Sequence, residues 1–482
     1  MRPSDLTTIT ADTWRAASAR ISDMLTPTLR VGVTGLARSG KTVFITALVR
    51  NLVAGGRLPY FSPMAQRRIV RAYLEPHPDD HVARFPYEEH LAQLARDPPQ
   101  WPESTTRVSQ LRLTVEHVSS STLRRTLWPG RLHIDIVDYP GEWLLDLPLL
   151  QFDFSEWSGR ALADAQRTNR LKVAKPWLDF VSRLNPSAPA EDQVALEGAA
   201  LFTRYLQEAR VPDPALAAPG PGRFLLPGDA QGSPLLTFFP LPSQRDGYPH
   251  GSLGALLTRR FNSYKTHIVK PFFRDHFARL DRQIVLMDLL TAVNSGAEAI
   301  ADLQRTLEGV LECFKPGERT WLSWILTRRI DRLLFAATKA DHLHHTSHDR
   351  LEALLGLLAQ KAITRAQFAG AEVKVMALAA LRATRETEAR TGWQRLPCVI
   401  GVPLPGERLG RRTFDGTAEA VIFPGDLPAD PGALTSGSEP YSVEFPRFRP
   451  PRLSLLAGDD SSIWPHIRLD RALEFLLGDH LV

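Results

Sequence analysis

Cysteine is nearly absent: the 482 residues contain two, Cys313 and Cys398. Two distant cysteines build no disulfide framework and have no metal-ligand spacing, which excludes a disulfide-stapled secreted scaffold and a cysteine zinc site. A reducing cytoplasm is the expected compartment. Long apolar runs are missing too. No stretch reaches the roughly 18 apolar residues that a spanning helix needs. The N-terminal "MRPSDLTTITADTWRAASARISDML" holds no apolar run of the signal-peptide kind. The expectation is a soluble cytoplasmic protein, peripheral to a membrane, if at all, through a partner. Neither sign of charge dominates, since 58 Lys and Arg face 53 Asp and Glu for a net +5. The basic residues are spread without a tail, so acidic lipid or nucleic acid is permitted but not demanded. There is no internal repeat.

What is present is apolar mass, 43% of the residues, and a length above that of one ordinary domain. Residues 9–25 read as an amphipathic helix with Trp14, Ala17, Ile21 and Leu25 on one face. An apolar strand at Leu29–Thr34 runs into a glycine turn, and a helix follows to Val53. Residues 54–106 read as loops with one short helix near Glu88–Leu94. "QLRLTVEHV" and "RLHIDIVDYPGEW" read as strands. A helical pattern then fills Leu144–Leu280, broken by a Pro/Gly-rich stretch, 211–234, expected as an exposed loop. "RQIVLMDLL", "RLLFAATKAD" and "EVKVMAL" are buried strands by pattern, with helices expected at 297–313, 319–332 and 348–369. Residues 396–465 turn Pro- and Gly-rich, with short strands at "CVIGVPL" and "AEAVIFPG". The end, "HIRLDRALEFLLGDHL", is a helix with Leu469, Leu473, Phe475 and Leu476 inward.

Gly35 to Thr42 spell G-L-A-R-S-G-K-T between the first strand and its helix. This is the full pattern of a phosphate-binding loop in its proper context. Backbone N–H groups and the helix dipole converge on the phosphates. Lys41 reaches the β- and γ-phosphates and the Thr42 hydroxyl binds Mg²⁺. Gly35, Arg38, Ser39, Gly40, Lys41, Thr42 and Val43 are the expected contacts. Arg38 is a second cation where Lys41 already supplies one. Asp138-Tyr139-Pro140-Gly141 closes a strand; Asp138 can hold Mg²⁺, directly or through water, and Gly141 can offer its N–H to a γ-phosphate. Asp, Pro and Gly are also ordinary turn residues. A threonine should close over the metal, and "WPESTTRVS" offers Thr105, preferred, and Thr106.

Thr338-Lys339-Ala340-Asp341 follows a buried strand and resembles the [NT]-K-x-D motif of GTP-binding proteins. The Asp341 carboxylate would accept from the guanine N1–H and exocyclic amine, donors that adenine lacks in that arrangement. The Lys339 stem would lie along the base. Ala379 and Ala380, in "ALAALRAT", suit a small-residue loop whose N–H faces the guanine carbonyl. Together these motifs resemble a translation-factor-like P-loop GTPase: a mainly parallel α/β sheet flanked by helices, with a helical insertion after Gly141 and a small β-rich one near the end. The expected units are 1–27, 28–143, 144–280, 281–395, 396–465 and 466–482: an N-terminal helix, the first GTPase part, the helical insertion, the second GTPase part, the β-rich insertion and a C-terminal helix.

Longer stretches, "DYPGEWLLDLPLL", "KPFFRDHFARLDRQIVLMDLL", "FAATKADHLHH" and the terminal helix, resemble the YcjX-like family of bacterial stress-associated GTPases. The resemblance implies GTP and GDP binding with Mg²⁺, slow hydrolysis, moving switch regions, a stress-response setting and a membrane-protein partner. Lys41, Arg38 and Glu142 are the catalytic candidates. Many GTPases have Gln, to orient water, where this chain has Glu142, so a nucleotide-loaded scaffold with negligible hydrolysis is the first alternative. A P-loop ATPase or kinase is the second. The loop "GLARSGKT" also resembles the G-L-x-R-x-G-K-S loop of guanylate-binding proteins of the dynamin group, which implies an arginine finger at Arg38 and nucleotide-dependent self-association. His342, His344, His345 and His348 read as a solvated loop or helix start before a metal site. "RRFNSYKTHIVKPFFR" reads as an amphipathic helix before a nucleic-acid or membrane face.

Overall fold

The computed structural model describes residues 26–36, 38–76, 79–103, 105–119, 130–210, 220–244, 247–312, 330–391, 393–436, 443–453 and 463–482. The helix expected at 9–25, Cys313, most of the helix expected at 319–332 and residues 211–219 lie outside them. One sheet holds β1 (Thr28–Thr34), β2 (Ile69–Leu74), β3 (Ala83–Arg84), β4 (Ser109–His117), β5 (Gly130–Asp138), β6 (Arg282–Met287), β7 (Arg332–Ala337) and β8 (Glu372–Ala377). Its order is β2-β4-β5-β1-β6-β7-β8, with β3 beside β4. From β5 to β8 every pair is parallel, whereas β4 runs antiparallel to β5, and β2 to β4.

Parallel neighbours need crossovers, whose helices cover both faces, so the strands are near-continuous apolar runs. Alternate residues then choose sides. Val31, Val33, Ile284, Leu286, Leu334 and Ala336 pack with the helix Lys41–Val53 and the C-terminal helix Leu469–Leu477. Met287, Leu333, Phe335 and Ala337 pack the other way, against Ala297–Glu312 and His348–Leu358. The C-terminal helix buries Leu469, Leu473, Phe475 and Leu476, as its periodicity requires. No helix among the described residues is long and apolar enough to cross a membrane.

The region 54–106 differs from its expectation. The helix Tyr87–Leu94 is there, but Ile69–Leu74 is a strand rather than loop. Its pattern conceals it. Only Ala72 is buried, and the mid-strand Arg71 pairs with Glu116 on β4. An edge strand carrying a charge has little period-2 signal.

Between β5 and β6 the helices Phe154–Ala165, Thr168–Ser182, Asp192–Glu208 and Leu253–Tyr264 enclose an aromatic core. Trp157 stacks on Phe261 at 4.9 Å and Trp177 on Tyr205 at 5.4 Å between centroids. Residues Arg259–Arg274 bury Phe261, Tyr264, Phe272 and Phe273 in this core, so their aromatics face inward. The Pro/Gly-rich stretch corrects the expectation of an exposed loop. From 220 to 228 it is docked, with Gly222 and Phe224 buried, while Gln231, Gly232 and Pro234 are exposed as expected. A last unit pairs Arg385–Thr391 with Gln394–Gly401 and adds Ala420–Ile422, around Val399, Phe414, Ile422 and Phe448. Its hairpin straddles 395/396, where the unit was expected to start. "RETEART" has no apolar face, so only its partner strand reveals it.

Candidate functional site

The phosphate loop hangs from β1 at the sheet's centre and opens the helix Lys41–Val53. Gly40 has φ +88° and Arg38 φ +60°. The Lys41 ammonium folds back to donate to the Gly35 carbonyl at 2.6 Å. Asp138 ends β5, beside Val33 in register, and is fully buried. The Thr105 hydroxyl donates to its Oδ2 at 2.5 Å, while Oδ1 has no partner among the described residues. Thr106 is exposed. Burial pushes the Asp138 carboxyl up to about 6, against the Lys41 charge and the Thr105 hydroxyl, which pull it down. A buried, half-satisfied carboxylate bonded to the Thr105 hydroxyl offers the kind of oxygen donors that suit Mg²⁺. Thr42, on the first helical turn, has its hydroxyl 3.4 Å from the Glu103 carbonyl.

Opposite lies the second motif group. Thr338 ties β7 to β6, donating its N–H and its hydroxyl to the Met287 carbonyl at 2.8 and 3.2 Å. Asp341 is buried; one carboxylate oxygen accepts from the Ala383 N–H at 2.8 Å, and the Thr384 hydroxyl donates to its carbonyl. A carboxylate has about four acceptor positions, so capacity remains for a base. Ala379 and Ala380 both line the same space, but the Ala379 N–H already donates to Ile467 at 3.1 Å. Of the two amides, Ala380 is therefore the better fit to a ligand carbonyl. One cleft of about 440 Å³ joins Arg38, Gly40, Lys41, Thr42 and Thr105 to Thr338, Lys339, Asp341 and Ala380.

The model of the YcjX-like family, DUF463, matches residues 29–481. The chain belongs to the YcjX-like family. It is 39% identical over 468 residues to the Ras-like GTPase YcjX of Escherichia coli (strain K12), covering 94% of this chain and 96% of that protein. It is 35% identical over 483 residues to the Ras-like GTPase YcjX of Shewanella oneidensis, with 94% of each covered. The mainly parallel sheet, with its loop on β1 and its T-K-A-D after β7, is the P-loop GTPase fold that these similarities imply.

In this member of the family, Gly141 and Glu142 are not among the residues lining the cleft, although Gly141 packs against its phosphate loop. A Cβ on Gly141 would sit 2.0 Å from the Gly35 carbonyl oxygen, so the second motif rests directly on the phosphate loop. Glu142 is buried and pairs with Arg210, at the end of the insertion's Asp192–Glu208 helix, at 2.9 Å. Its neighbours are held the same way. Trp143 Nε1 donates to the Leu226 carbonyl at 2.9 Å, and the Gly222 N–H donates to Asp146 at 2.7 Å. A Cβ on Gly222 would lie 1.8 Å from the Glu142 carbonyl oxygen. That close approach explains why a glycine-rich stretch is docked rather than exposed.

Asp146 sits at this junction. Burial pushes its carboxyl up to about 7, against the opposing pull of Tyr264, Arg223 and the Gly222 N–H. The folded value lies above the ordinary carboxylate value near 4. The folded state therefore binds the proton more tightly, and this stabilisation is full below about pH 4 and lost as pH rises through about 7. Asp146→Asn keeps an oxygen for the Gly222 N–H and is expected to flatten the fall in melting temperature between pH 5 and 8. An unchanged slope in a pH series of thermal melts would show that Asp146 is not its source.

Sequence reasoning missed several cleft residues. Trp101, His342, Leu404, Arg447 and Phe448 line it. Trp101 Nε1 donates to the Phe448 carbonyl at 2.6 Å, and the His342 ring meets the Phe448 ring edge-on at 5.0 Å. Adjacency to Asp341 was the one available signal, for His342; nothing local marks Phe448. The histidines are divided. His342 and His348 are buried, His348 bonded to the Ala340 carbonyl at 2.8 Å, while His344 and His345 gather around Glu386 at the surface. Arg382 also reaches Glu386, at 3.5 Å.

Proposed function

We propose that this chain is a Mg²⁺-dependent GTP-binding and GTP-hydrolysing switch. The observation that carries the reading is the single cleft shared by the phosphate loop, Thr105 and Asp341. Lys41 and the loop amides bind the phosphates. Thr42, Thr105 and Asp138 would hold Mg²⁺, which when bound neutralises charge on the β- and γ-phosphates. Asp341 accepts from guanine, and the Gly141 N–H meets the γ-phosphate. The naming of both relatives as Ras-like GTPases supports this reading. The stress-response setting, the membrane-protein partner and self-association rest on family and loop resemblance alone.

Asp341→Asn is expected to weaken GTP and GDP binding by about tenfold or more, the scale of a lost charge-assisted hydrogen bond. Xanthine nucleotide, which has a carbonyl in place of the amine, should gain relative affinity. The measurement is displacement of a fluorescent GDP analogue by each nucleotide, ATP included. Unchanged GDP affinity in a folded variant, or ATP competing as well as GTP, would overturn the guanine reading.

One observation favours a second reading, a nucleotide-loaded scaffold with little hydrolysis. Glu142, at the water-orienting position, is engaged by Arg210. Phosphate release by the purified protein, beside a Lys41→Ala control, separates the two.

A further inference from the structure

Asp288 belongs to none of the motifs. It follows β6, the strand between β1, which carries the phosphate loop, and β7, which carries Thr338–Asp341. Its side chain is buried, and two residues converge on it. The Lys339 ammonium lies 2.5 Å from Oδ2. Thr291 donates its hydroxyl to Oδ2 at 2.7 Å and its N–H to Oδ1 at 3.1 Å, which caps the helix Leu289–Ser295. Burial alone would raise this carboxyl, yet the Lys339 charge and the Thr291 donors hold it below the usual range, so it stays ionised. Lys339 has φ +60°, a left-handed conformation unfavourable for a side chain with a Cβ. Its ammonium is thus tied down, and Lys339 lines the cleft together with Asp341.

We propose that Asp288 is a positioning residue for nucleotide binding: it anchors the Lys339 ammonium so that the stem stands as a preformed platform for the base. The proposal rests on the guanine reading of the cleft. A free lysine stem has many rotamers, and ordering it on binding costs affinity. Asp288 removes that cost beforehand. The motif lysine is legible in sequence; the carboxylate that holds it is not, because it comes from a different strand.

The rival is that Asp288 only caps a helix. Asp288→Asn separates the two roles, because Asn caps a helix about as well as Asp. It retains an oxygen for the Thr291 N–H, sets its NH₂ where the Thr291 hydroxyl can turn to accept, and loses the charge that holds Lys339. Lys339 is partly exposed, so its released ammonium reaches water. We expect Asp288→Asn to melt within a few degrees of wild type and to bind GDP about tenfold more weakly. Lys339→Ala should weaken GDP similarly, and the double variant should be no weaker than Lys339→Ala alone, since residues acting as one unit are not additive. Calorimetric GDP titration of the three variants reads this directly. Wild-type GDP affinity in Asp288→Asn, or a double variant weakened by the product of the single effects, would overturn the proposal. If Asp341→Asn weakens GDP while Asp288→Asn does not, only the anchoring role fails. If Asp341→Asn also leaves GDP unchanged, the guanine reading beneath it fails.

Discussion

Gly141→Ala is expected to slow GTP hydrolysis about a hundredfold or more in a protein that still folds. The reason is steric. The new Cβ would lie 2.0 Å from the Gly35 carbonyl oxygen, 2.5 Å from its carbon and 2.9 Å from the Leu36 nitrogen. All three are backbone atoms, so no flexible side chain can give way. Either the phosphate loop moves or Gly141 does. Both matter for the proposed chemistry, because the Gly35 carbonyl receives the Lys41 ammonium and the Gly141 N–H is the candidate γ-phosphate donor. A displacement of about 1 Å near reacting groups costs on the order of a hundredfold in rate. GDP affinity should fall less, since GDP has no γ-phosphate for Gly141 to meet. Single-turnover hydrolysis, read beside GDP affinity, checks this. Gly159→Ala is the control: a Cβ there meets nothing within 4 Å, inside the helix Phe154–Ala165, and alanine favours a helix. Wild-type hydrolysis by Gly141→Ala would remove Gly141 from the mechanism.

Arg38→Gly is expected to leave GDP affinity within a few-fold and to slow hydrolysis by roughly tenfold to a thousandfold, the range of a lost transition-state cation. Arg38 adopts φ +60°, is exposed and lines the cleft. A left-handed conformation costs a residue with a Cβ about 1–2 kcal/mol, which glycine avoids. An arginine kept in a strained loop position points to a role for its side chain. The proposed role is a finger in cis, set against charge building at the β–γ bridge. Glycine should therefore relieve strain, so a melting temperature at or above wild type together with slow hydrolysis is the expected signature. Arg38→Ala should slow hydrolysis equally without relieving the strain. If pairing of two copies aims the finger, the wild-type rate per molecule should also rise with protein concentration. Phosphate release at the wild-type rate from Arg38→Gly would leave the arginine without a catalytic part.

The motif residues were legible because each depends on a few neighbours in the chain. Glycines, Lys41 and Thr42 sit on one turn between a strand and a helix, and that order alone fixes what the loop can hold. Asp138 ends an apolar strand and Asp341 follows another by four residues, and any sheet of this kind would bury both strands. The helical pattern between Asp138 and Arg282 was legible; the start of the β-rich unit was not, since its hairpin straddles 395/396. The strand Ile69–Leu74 was hidden by its exposed edge, and Arg385–Thr391 by its lack of an apolar face.

The sequence by itself determined the α/β class and the order of the motifs along the chain, because short-range geometry and residue type suffice for those. Tertiary structure alone decided which groups meet. It turned Glu142 to Arg210, docked Gly222 on the segment after Gly141, gave the Ala379 amide to Ile467 and brought Asp288 to Lys339 and Phe448 to the cleft wall. Each of these contacts joins residues far apart in the chain. Their partners are chosen by how the layers pack, and no local pattern of side chains encodes that choice.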